Sequence, residues 1–463
     1  MKTLFPPQQE ALDFFTEVLR DGRSTLDSSQ MGTGKTVVGA QIAKDLIDNS
    51  LNLPQREINN VAVICPKAVT PSWQRELREC GLNPLFVLNV EKLRTGKTDY
   101  VSKTGSKSFR WNIPKDTLVL VDEIHQLKGP WTLNAGLLVS LIQNNYLVHG
   151  MSGTPCDSPM EMRSIGYMLG LHSNTNTIYG RPNYWKWLRQ MKCTAGFHGG
   201  FEMKDPEFAL SALRKSMYGV TTHGLTVSDF PDSFRGNRVI VDPIEFSRND
   251  KIIKAYEKLD MTESHISDYI QYGRIPDHLL EDGDDKPMIT RIGEARQECE
   301  ILKVPDIRDQ AHQAMQEGYS VAIFLNYTAS IEELSSLLKC DYINGEVPQL
   351  VRNNLIKEFQ DDKSHCLVLN SATGGTGISL HDTHGERPRV SLISPSFNAK
   401  EFSQVLGRIH RNGAKTDALQ KVLLADGSIE EYVMQAINRK MKNMDAIHHS
   451  QICEFSSSYY TTE

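Results

Sequence analysis

Short runs of aliphatic and β-branched residues recur along the chain, with helix-length segments between them. The clearest runs lie at residues 61–64, 118–121, 321–325, 367–369 and 390–393. Because each run is continuously apolar and does not alternate with polar residues, it is typical of a strand buried on both faces of a parallel sheet. The sequence therefore predicts an α/β fold with parallel sheets flanked by helices.

The runs form two groups, separated by a charged stretch at about 245–300 that is poor in strands and ends near the acidic residues 281–285. This stretch is predicted to form helices and a loop. A chain of 463 residues is about three times the common domain size, so each group has enough residues for a sheet of its own. We expect a first unit at 1–240, a helical insertion or linker at 241–297 and a second unit at 298–463.

A glycine-rich turn precedes the first helical pattern. It consists of Gly32, Thr33, Gly34, Lys35 and Thr36. Glycine allows a positive φ and a close backbone approach, so backbone amides and the following helix N-terminus can surround phosphates. This pattern predicts a phosphate loop, although Ser29 stands where the strict pattern has its first glycine. Lys35 would reach the β- and γ-phosphates of ATP, and the Thr36 hydroxyl would bind Mg²⁺.

Two acids end the apolar run at 118–121. Asp122 is suited to hold Mg²⁺ through water, and Glu123 to polarise the attacking water as a general base. A strand ending in two acids is weak evidence alone, but it becomes strong when it follows a phosphate loop. His125 by itself is more often structural than catalytic.

The order of these features resembles that of the superfamily-two helicases, and within them the Snf2-like ATPases. Residues 122–125 spell DEIH, a variant of the DEAH box. The other blocks that resemble family motifs are Pro7, Gln8 and Ala11 (motif Q), 65–67 with Trp73 (motif Ia), 152–155 (motif III), Ile323 and Phe324 (motif IV), 370–380 (motif V) and 404–411 (motif VI). The resemblance covers residue 4 to about residue 445 and is closest in look to small annealing-helicase-like members and to virus- or phage-encoded ones.

The sequence also departs from the family pattern. Ser29 and Gln30 replace the acidic pair that usually precedes Met31, Gly407 replaces the usual aspartate of motif VI, and paired arginines are missing around Met217. These departures bear on the subgroup and not on the ATPase assignment.

The resemblance implies two RecA-like lobes, with a helical insertion between them, that bind ATP and Mg²⁺. It implies that Arg408 and Arg411, from the second lobe, stabilise charge in the transition state. The implied catalytic set is Lys35, Asp122, Glu123, Gln404, Arg408 and Arg411. The implied nucleotide-binding set is Gln8, Gly32, Thr33, Gly34, Lys35, Thr36 and Gly377, with Thr36 and Asp122 holding Mg²⁺.

The resemblance gives a weaker indication of the residues that contact nucleic acid. Residues that match motifs Ia, IV and V suggest phosphate contacts for Lys67, Asn326 and Ser371. The stretch 91–110 holds six basic residues against two acidic ones, which fits either a flexible loop that grips phosphates or a solvated surface loop. The net charge of the chain is −6, so any grip on nucleic acid must be local.

The composition bears on the cellular compartment and on membrane association. The eight cysteines are scattered singly, without metal-ligand spacing, which predicts reduced thiols in an intracellular compartment and no structural metal. The most apolar helix-length stretch, 133–148, contains too many polar residues to cross a bilayer, so we expect no membrane contact. A monomer is favoured, acting in the cytoplasm, nucleoid or nucleus, and targeting falls to a protein partner or to the helical insertion.

Three functions stay open at this point. The first is an ATP-driven translocase on duplex or branched DNA that serves repair, recombination or the displacement of bound proteins. The second is a strand-separating helicase acting on DNA or RNA. The third is a nucleotide-gated adaptor that recruits a nuclease or another partner.

Overall fold

The computed structural model describes residues 3–49, 57–129, 132–174, 180–196, 201–273, 275, 287–374, 378–448 and 455–456. The chain forms two compact units. Unit 1 comprises Met1–Phe230 and Asn443–Gln451, and unit 2 comprises Pro231–Lys442 and Ile452–Glu463.

Unit 1 is built around a six-stranded sheet whose neighbouring strands all run parallel. The strands of the unit are β1 Thr25–Asp27, β2 Asn60–Ile64, β3 Val87–Leu88, β4 Lys97–Thr98, β5 Val101–Lys103, β6 Phe109–Trp111, β7 Thr117–Asp122, β8 Leu147–Met151, β9 Cys193–Ala195, β10 Phe201–Met203 and β11 Thr222–His223. The order in the main sheet is β11-β1-β8-β7-β2-β3, so the ends of β1 and β7 lie on either side of β8. Strands β4, β5 and β6 form a separate small sheet.

The helices of unit 1 cover its parallel sheet and supply much of its apolar core. They are α1 Pro6–Arg20, α2 Lys35–Asp48, α3 Thr70–Glu79, α4 Val90–Leu93, α5 Leu133–Gln143, α6 Arg163–Met168, α7 Tyr184–Gln190 and α8 Pro206–Met217. Apolar side chains of β2 and β7 are buried at every position of the runs predicted from sequence, and those of β8 are buried as well, because both faces of the sheet are covered.

Unit 2 holds a seven-stranded parallel sheet in the order β15-β16-β14-β17-β18-β12-β20. Its strands are β12 Asn237–Ile240, β13 Pro243–Ile244, β14 Ser320–Leu325, β15 Asp341–Ile343, β16 Cys366–Asn370, β17 Arg389–Ile393, β18 Ala418–Val422, β19 Leu424–Ala425 and β20 Phe455–Ser456. Its helices are α9 Asn249–Glu257, α10 Glu263–Tyr272, α11 Met288–Gln316, α12 Thr328–Leu338, α13 Gln349–Gln360, α14 Ser371–Gly374, α15 Ala399–Leu406 and α16 Ile429–His448. The last residues of α16 belong to unit 1.

A buried ion pair fixes the long helix α11 inside unit 2. The Lys303 ammonium contacts the Glu430 carboxylate and donates to the carbonyl oxygen of Leu423 at 3.0 Å. The Tyr256 hydroxyl also donates to Glu430, at 3.0 Å. Burying two charges is costly unless further hydrogen bonds compensate them, and here the tyrosine hydroxyl and backbone groups supply such bonds.

The α/β fold with parallel sheets flanked by helices is confirmed, and the two units are RecA-like lobes. Helices α9 and α10 lie in the stretch predicted as an insertion, whereas β12, placed in the first lobe by the predicted boundary, pairs with β18 of the second sheet. Within the described residues, the structure contains no helix that is long and apolar enough to cross a membrane.

Candidate nucleotide-binding site

The phosphate loop connects the end of β1 to the first residue of α2. Gly32 and Gly34 adopt φ values of +84° and +97°, in the left-handed region where a side chain would be strained. A Cβ atom at Gly34 would also collide with the side-chain amide of Gln8. Both glycines are therefore required by the backbone, as the sequence pattern predicts.

Lys35 is folded back into this loop. Its Nζ donates to the carbonyl oxygens of Ser29 at 2.8 Å and Gln30 at 3.0 Å. The Thr33 hydroxyl donates to the same Gln30 carbonyl at 2.8 Å. The ammonium group is thus positioned at the loop, where it can exchange carbonyl contacts for phosphate oxygens.

The two residues that depart from the family pattern brace the loop. The Ser29 hydroxyl accepts from the Leu225 backbone N–H at 2.9 Å, and the Gln30 side-chain carbonyl accepts from Val227 N–H at 2.5 Å. Ser29 N–H also donates to Asp27 Oδ1 at 2.8 Å. Ser29 and Gln30 thereby tie the loop to the segment that follows β11, a contact that no local sequence pattern indicates.

Gln8 is nearly fully buried against the phosphate loop. Its Nε2 donates to the Thr33 carbonyl oxygen at 2.7 Å, and its Oε1 accepts from Phe5 N–H at 3.0 Å. The structure therefore brings this predicted adenine-reading residue to the loop, while its role toward adenine stays a prediction.

Asp122, at the end of β7, accepts a hydrogen bond from a residue of α3. Trp73 Nε1 donates to Asp122 Oδ2 at 2.9 Å, and the Glu123 N–H donates to Asp122 Oδ1 at 3.0 Å. Desolvation and, next, the neighbouring Glu123 charge raise the pKa of Asp122 to about 6, against the opposing effects of Trp73 and the Lys35 charge. In the sequence, Trp73 resembles part of motif Ia, and nothing in the pattern around the acid pair indicates this contact.

Glu123 adopts a left-handed backbone conformation with φ +53°, which costs free energy for a residue with a side chain. Its Oε2 lies 3.2 Å from His125 Nδ1, and the same nitrogen lies 2.9 Å from the Ser152 hydroxyl. Ser152 N–H donates to the Asp27 carbonyl oxygen at 2.9 Å. His125 therefore joins motif II to motif III, a role that the sequence analysis did not assign.

The oxygens of Thr36 and Asp122 suit a magnesium ion. Hydroxyl and carboxylate oxygens are the ligands that Mg²⁺ prefers. The carboxyl of Asp122 lies next to a second acid in a desolvated place, and a divalent cation compensates such an environment. The donor set present therefore fits Mg²⁺.

The motif VI residues lie in unit 2 on α15 and the turn after it. Gln404 and Arg408 are buried, and Arg408 Nη1 donates to the Ile378 carbonyl oxygen at 3.0 Å. Arg411 is only half-buried, and its Nε donates to the Gly407 carbonyl oxygen at 2.9 Å. Both arginines donate to their own lobe's backbone, and they differ in exposure: Arg408 is buried, whereas Arg411 is partly open to solvent.

The predicted phosphate-contacting residues have three different environments. Lys67 is exposed on the 3₁₀ turn Lys67–Val69 that follows β2. The Asn326 side-chain amide donates to buried Glu300 at 2.8 Å and is held inside unit 2. Ser371 is buried, and its hydroxyl has no hydrogen-bond partner among the described residues. Gly377 lies outside the described residues.

Comparison with known proteins connects these features to a family. A model of the helicase conserved C-terminal domain matches residues 303–413. A putative ATP-dependent RNA helicase of Acanthamoeba polyphaga mimivirus is 27% identical over 96% of this chain and 83% of its own length. The human DNA excision repair protein ERCC-6-like is 22% identical over 93% of this chain, and the Drosophila ananassae DNA repair and recombination protein RAD54-like is 26% identical over 94%.

The chain spans most of the mimivirus protein but only 40% of the human relative and 61% of the Drosophila one. The matches to these three relatives extend over both lobes. The matched C-terminal domain and these relatives support a superfamily-two helicase-type ATPase of the Snf2-like group.

Proposed function

We propose that this ATPase is a motor that hydrolyses ATP when it binds duplex or branched DNA, and that it uses the cycle to remodel DNA or displace bound proteins. The observation that supports the proposal is a centre in which Lys35 lies in the phosphate loop, Trp73 donates to Asp122, and Glu123 is linked through His125 to Ser152.

Each residue of this centre has a distinct task. Lys35 and the loop amides bind the β- and γ-phosphates, and Thr36 and Asp122 hold Mg²⁺, which neutralises phosphate charge when bound. Glu123 accepts a proton from the attacking water. Arg411, the more accessible motif VI arginine, stabilises the charge that develops on the transferred phosphoryl group, as does Arg408 through the loop it supports.

The His125 bridge suits a motor. A side chain that contacts both the general base and motif III can transmit a change at the γ-phosphate to residues that follow β8. Two Snf2-like relatives carry names of DNA repair proteins, which supports DNA as the track. We infer that the protein works inside the cell as a monomer, with targeting supplied by a protein partner.

A strand-separating helicase acting on RNA is the second candidate. It is favoured by the mimivirus relative, a putative ATP-dependent RNA helicase, which this chain matches over 83% of that relative's length. The two candidates make opposite predictions about the activating polymer.

The deciding experiment measures ATP turnover without nucleic acid and with single-stranded DNA, blunt duplex DNA, forked DNA or single-stranded RNA. Each polymer is added at the same total concentration of nucleotide residues. Glu123→Gln serves as the inactive control in every arm. The proposal expects duplex or forked DNA to be the strongest activator and a triplex-forming strand to be displaced without unwinding of a blunt duplex.

Stronger activation by single-stranded RNA, together with unwinding of a tailed duplex, would establish the second candidate. Equal turnover in every arm, with unchanged nucleotide affinity, would reject both motor functions and favour the nucleotide-gated adaptor.

A further inference from the structure

From Lys97 onward, the basic stretch between motifs Ia and II forms a small antiparallel sheet. Strand β5 pairs antiparallel with β4 on one side and with β6 on the other. The register sets Lys97 opposite Ser102, and Ser102 opposite Arg110. Because side chains directly opposite one another share a face, these three residues form a row across all three strands.

The two faces of this sheet differ sharply. Val101, Phe109 and Trp111 are buried in the core of unit 1. Lys97 and Arg110 are exposed on the opposite face, and Lys103 and Lys107 are exposed at the β5–β6 turn. An apolar face that packs on the core leaves the basic face directed to solvent.

The sheet is rigidly attached to α5. Trp111 Nε1 donates to the Ser140 hydroxyl at 2.8 Å, a buried contact. A Cβ atom at Gly136 would collide with the carbonyl oxygen of Lys107, so the β5–β6 turn lies directly on the helix backbone. Within the turn, Thr104 N–H donates to the Ser108 carbonyl oxygen at 2.9 Å. The cations are therefore presented from a fixed surface.

These cations have no carboxylate partner in the described part of the chain: Lys97, Lys103, Lys107 and Arg110 form no ion pair there. In a chain of net charge −6, four exposed cations on one small sheet are a local concentration of positive potential. Neighbouring strands lie about 4.8 Å apart, so Lys97 and Arg110 are separated by about 10 Å at the backbone. Two long side chains at that spacing can contact separate phosphates of one polymer.

We propose that the outer face of the β4–β5–β6 sheet, with Lys97, Ser102 and Arg110, is an accessory binding site for the phosphodiester backbone of a nucleic acid, and that the adjoining β5–β6 turn extends this site through Lys107 and through Lys103, which the register sets opposite Phe109 at the end of β5. The proposal rests on the proposed motor function and adds a contact outside the helicase motifs. The site binds nucleic acid without sequence preference, because its lysine, arginine and serine side chains contact backbone phosphates and not base edges.

Helix α5 connects the basic sheet to the segment that follows the acid pair. Helix α5 carries Asn134, whose Nδ2 donates to the Gln126 carbonyl oxygen at 3.1 Å, and Gln126 lies in the 3₁₀ turn directly after the acid pair. Helix α5 thus contacts both the sheet and the segment next to Glu123. Binding at this face is expected to raise the apparent affinity for the polymer and not the DNA-free turnover.

The test compares the full chain with K97Q/R110Q by fluorescence anisotropy on labelled duplex DNA, single-stranded DNA and RNA over a range of salt concentrations. Loss of two phosphate contacts lowers the slope of log K against log salt by about 1.8 on duplex DNA and weakens binding about tenfold at 0.1 M salt. DNA-free ATP turnover and the thermal unfolding midpoint stay at the wild-type value. The arm with the largest change identifies the polymer that uses the face.

The matched control is K186Q/R189Q, which removes two exposed positive charges from α7 and keeps the basic face intact. A second variant, K103Q/K107Q, tests the turn independently of the central row. Equal slopes and affinities for wild type, K97Q/R110Q and K103Q/K107Q would overturn the inference, as would an equal loss in the α7 control. Competition by poly-L-glutamate as effective as that by DNA would show a general polyanion surface and would also overturn it.

The results distinguish failure of the motor function from failure of the accessory site. If no nucleic acid stimulates the wild-type ATPase, the motor function fails. If the wild type is stimulated and the sheet variants behave like wild type, only the accessory site fails.

Discussion

The indole N–H of Trp73 donates a 2.9 Å hydrogen bond to the carboxylate of Asp122, which joins helix α3 to the end of strand β7. Trp73 is fully buried, so this donor is fixed by packing and cannot rotate away. It holds the proposed magnesium ligand in one orientation, and hydrogen bonds to a charged group are among the stronger ones in proteins.

Trp73→Phe tests this contact while keeping an aromatic ring in the core. We expect ATP turnover at limiting Mg²⁺ to fall about tenfold, corresponding to loss of a hydrogen bond of about 1.5 kcal/mol, with partial recovery at high Mg²⁺. Steady-state kinetics at several Mg²⁺ concentrations measure this. Wild-type kinetics at limiting Mg²⁺ would show that the indole is only a packing group.

Replacing the two central catalytic groups should separate binding from chemistry. Glu123→Gln removes the general base and should abolish turnover while nucleotide affinity stays near the wild-type value. Lys35→Ala should abolish turnover and also weaken nucleotide binding, because the ammonium group contacts the phosphates themselves. Turnover is measured by phosphate release and affinity by a fluorescent ATP analogue. Wild-type turnover in Glu123→Gln would contradict the assignment of the base.

His125 is expected to act jointly with Ser152. Both His125→Ala and Ser152→Ala break the same 2.9 Å contact, and His125→Ala also removes the contact with Glu123, so the double variant should lose little more activity than His125→Ala alone. A double-mutant cycle on the nucleic-acid-stimulated turnover measures the coupling, expected at about 1 kcal/mol. Strict additivity would show that motifs II and III are not coupled through this histidine.

Local patterns in the sequence were sufficient to predict the sheets and the phosphate loop. Strands buried on both faces require consecutive apolar residues, and positive φ values favour glycine, so both features can be recognised from neighbouring residues. Contacts between distant residues leave no such mark. Gln8 meets Thr33, and His448 Nε2 meets the Cys156 carbonyl oxygen at 3.0 Å across most of the chain. The basic stretch was predicted as a loop because its strands are only two or three residues long, too short for an alternating pattern to stand out.

The two motif VI arginines should give different defects. Arg408→Ala removes a buried guanidinium and leaves the Ile378 carbonyl oxygen without this partner, so unit 2 should unfold at a lower temperature. Arg411→Ala should leave the unfolding midpoint nearly unchanged and lower kcat far more than it raises the KM for ATP. Calorimetry and steady-state kinetics on both variants decide this. Equal losses of kcat at unchanged stability would mean that both arginines act directly on the transition state.

Unit 1 should lose stability in mild acid because it buries neutral histidines. Burial lowers the pKa of His149, His172 and His448 to about 4 each, well below the usual value of 6.5. The unfolded chain therefore binds more protons than the folded one between these values, so stability is fully present above pH 6.5 and falls as the pH drops toward 4. Each histidine contributes up to about 3 kcal/mol to this loss.

His448 gives the sharpest version of that prediction. Its Nδ1 lies 2.8 Å from the Tyr218 hydroxyl, and Tyr218 lies 2.6 Å from the Ser28 hydroxyl directly before the phosphate loop. His448→Gln retains a polar side chain at this place but cannot take up a proton, so the unfolding free energy should depend on pH less steeply, by about one proton, between pH 4 and 6.5. The control His384→Gln alters an exposed side chain and should leave the slope unchanged. Chemical unfolding at half-unit pH steps measures the slope, and identical slopes for wild type and His448→Gln would contradict a buried, neutral His448.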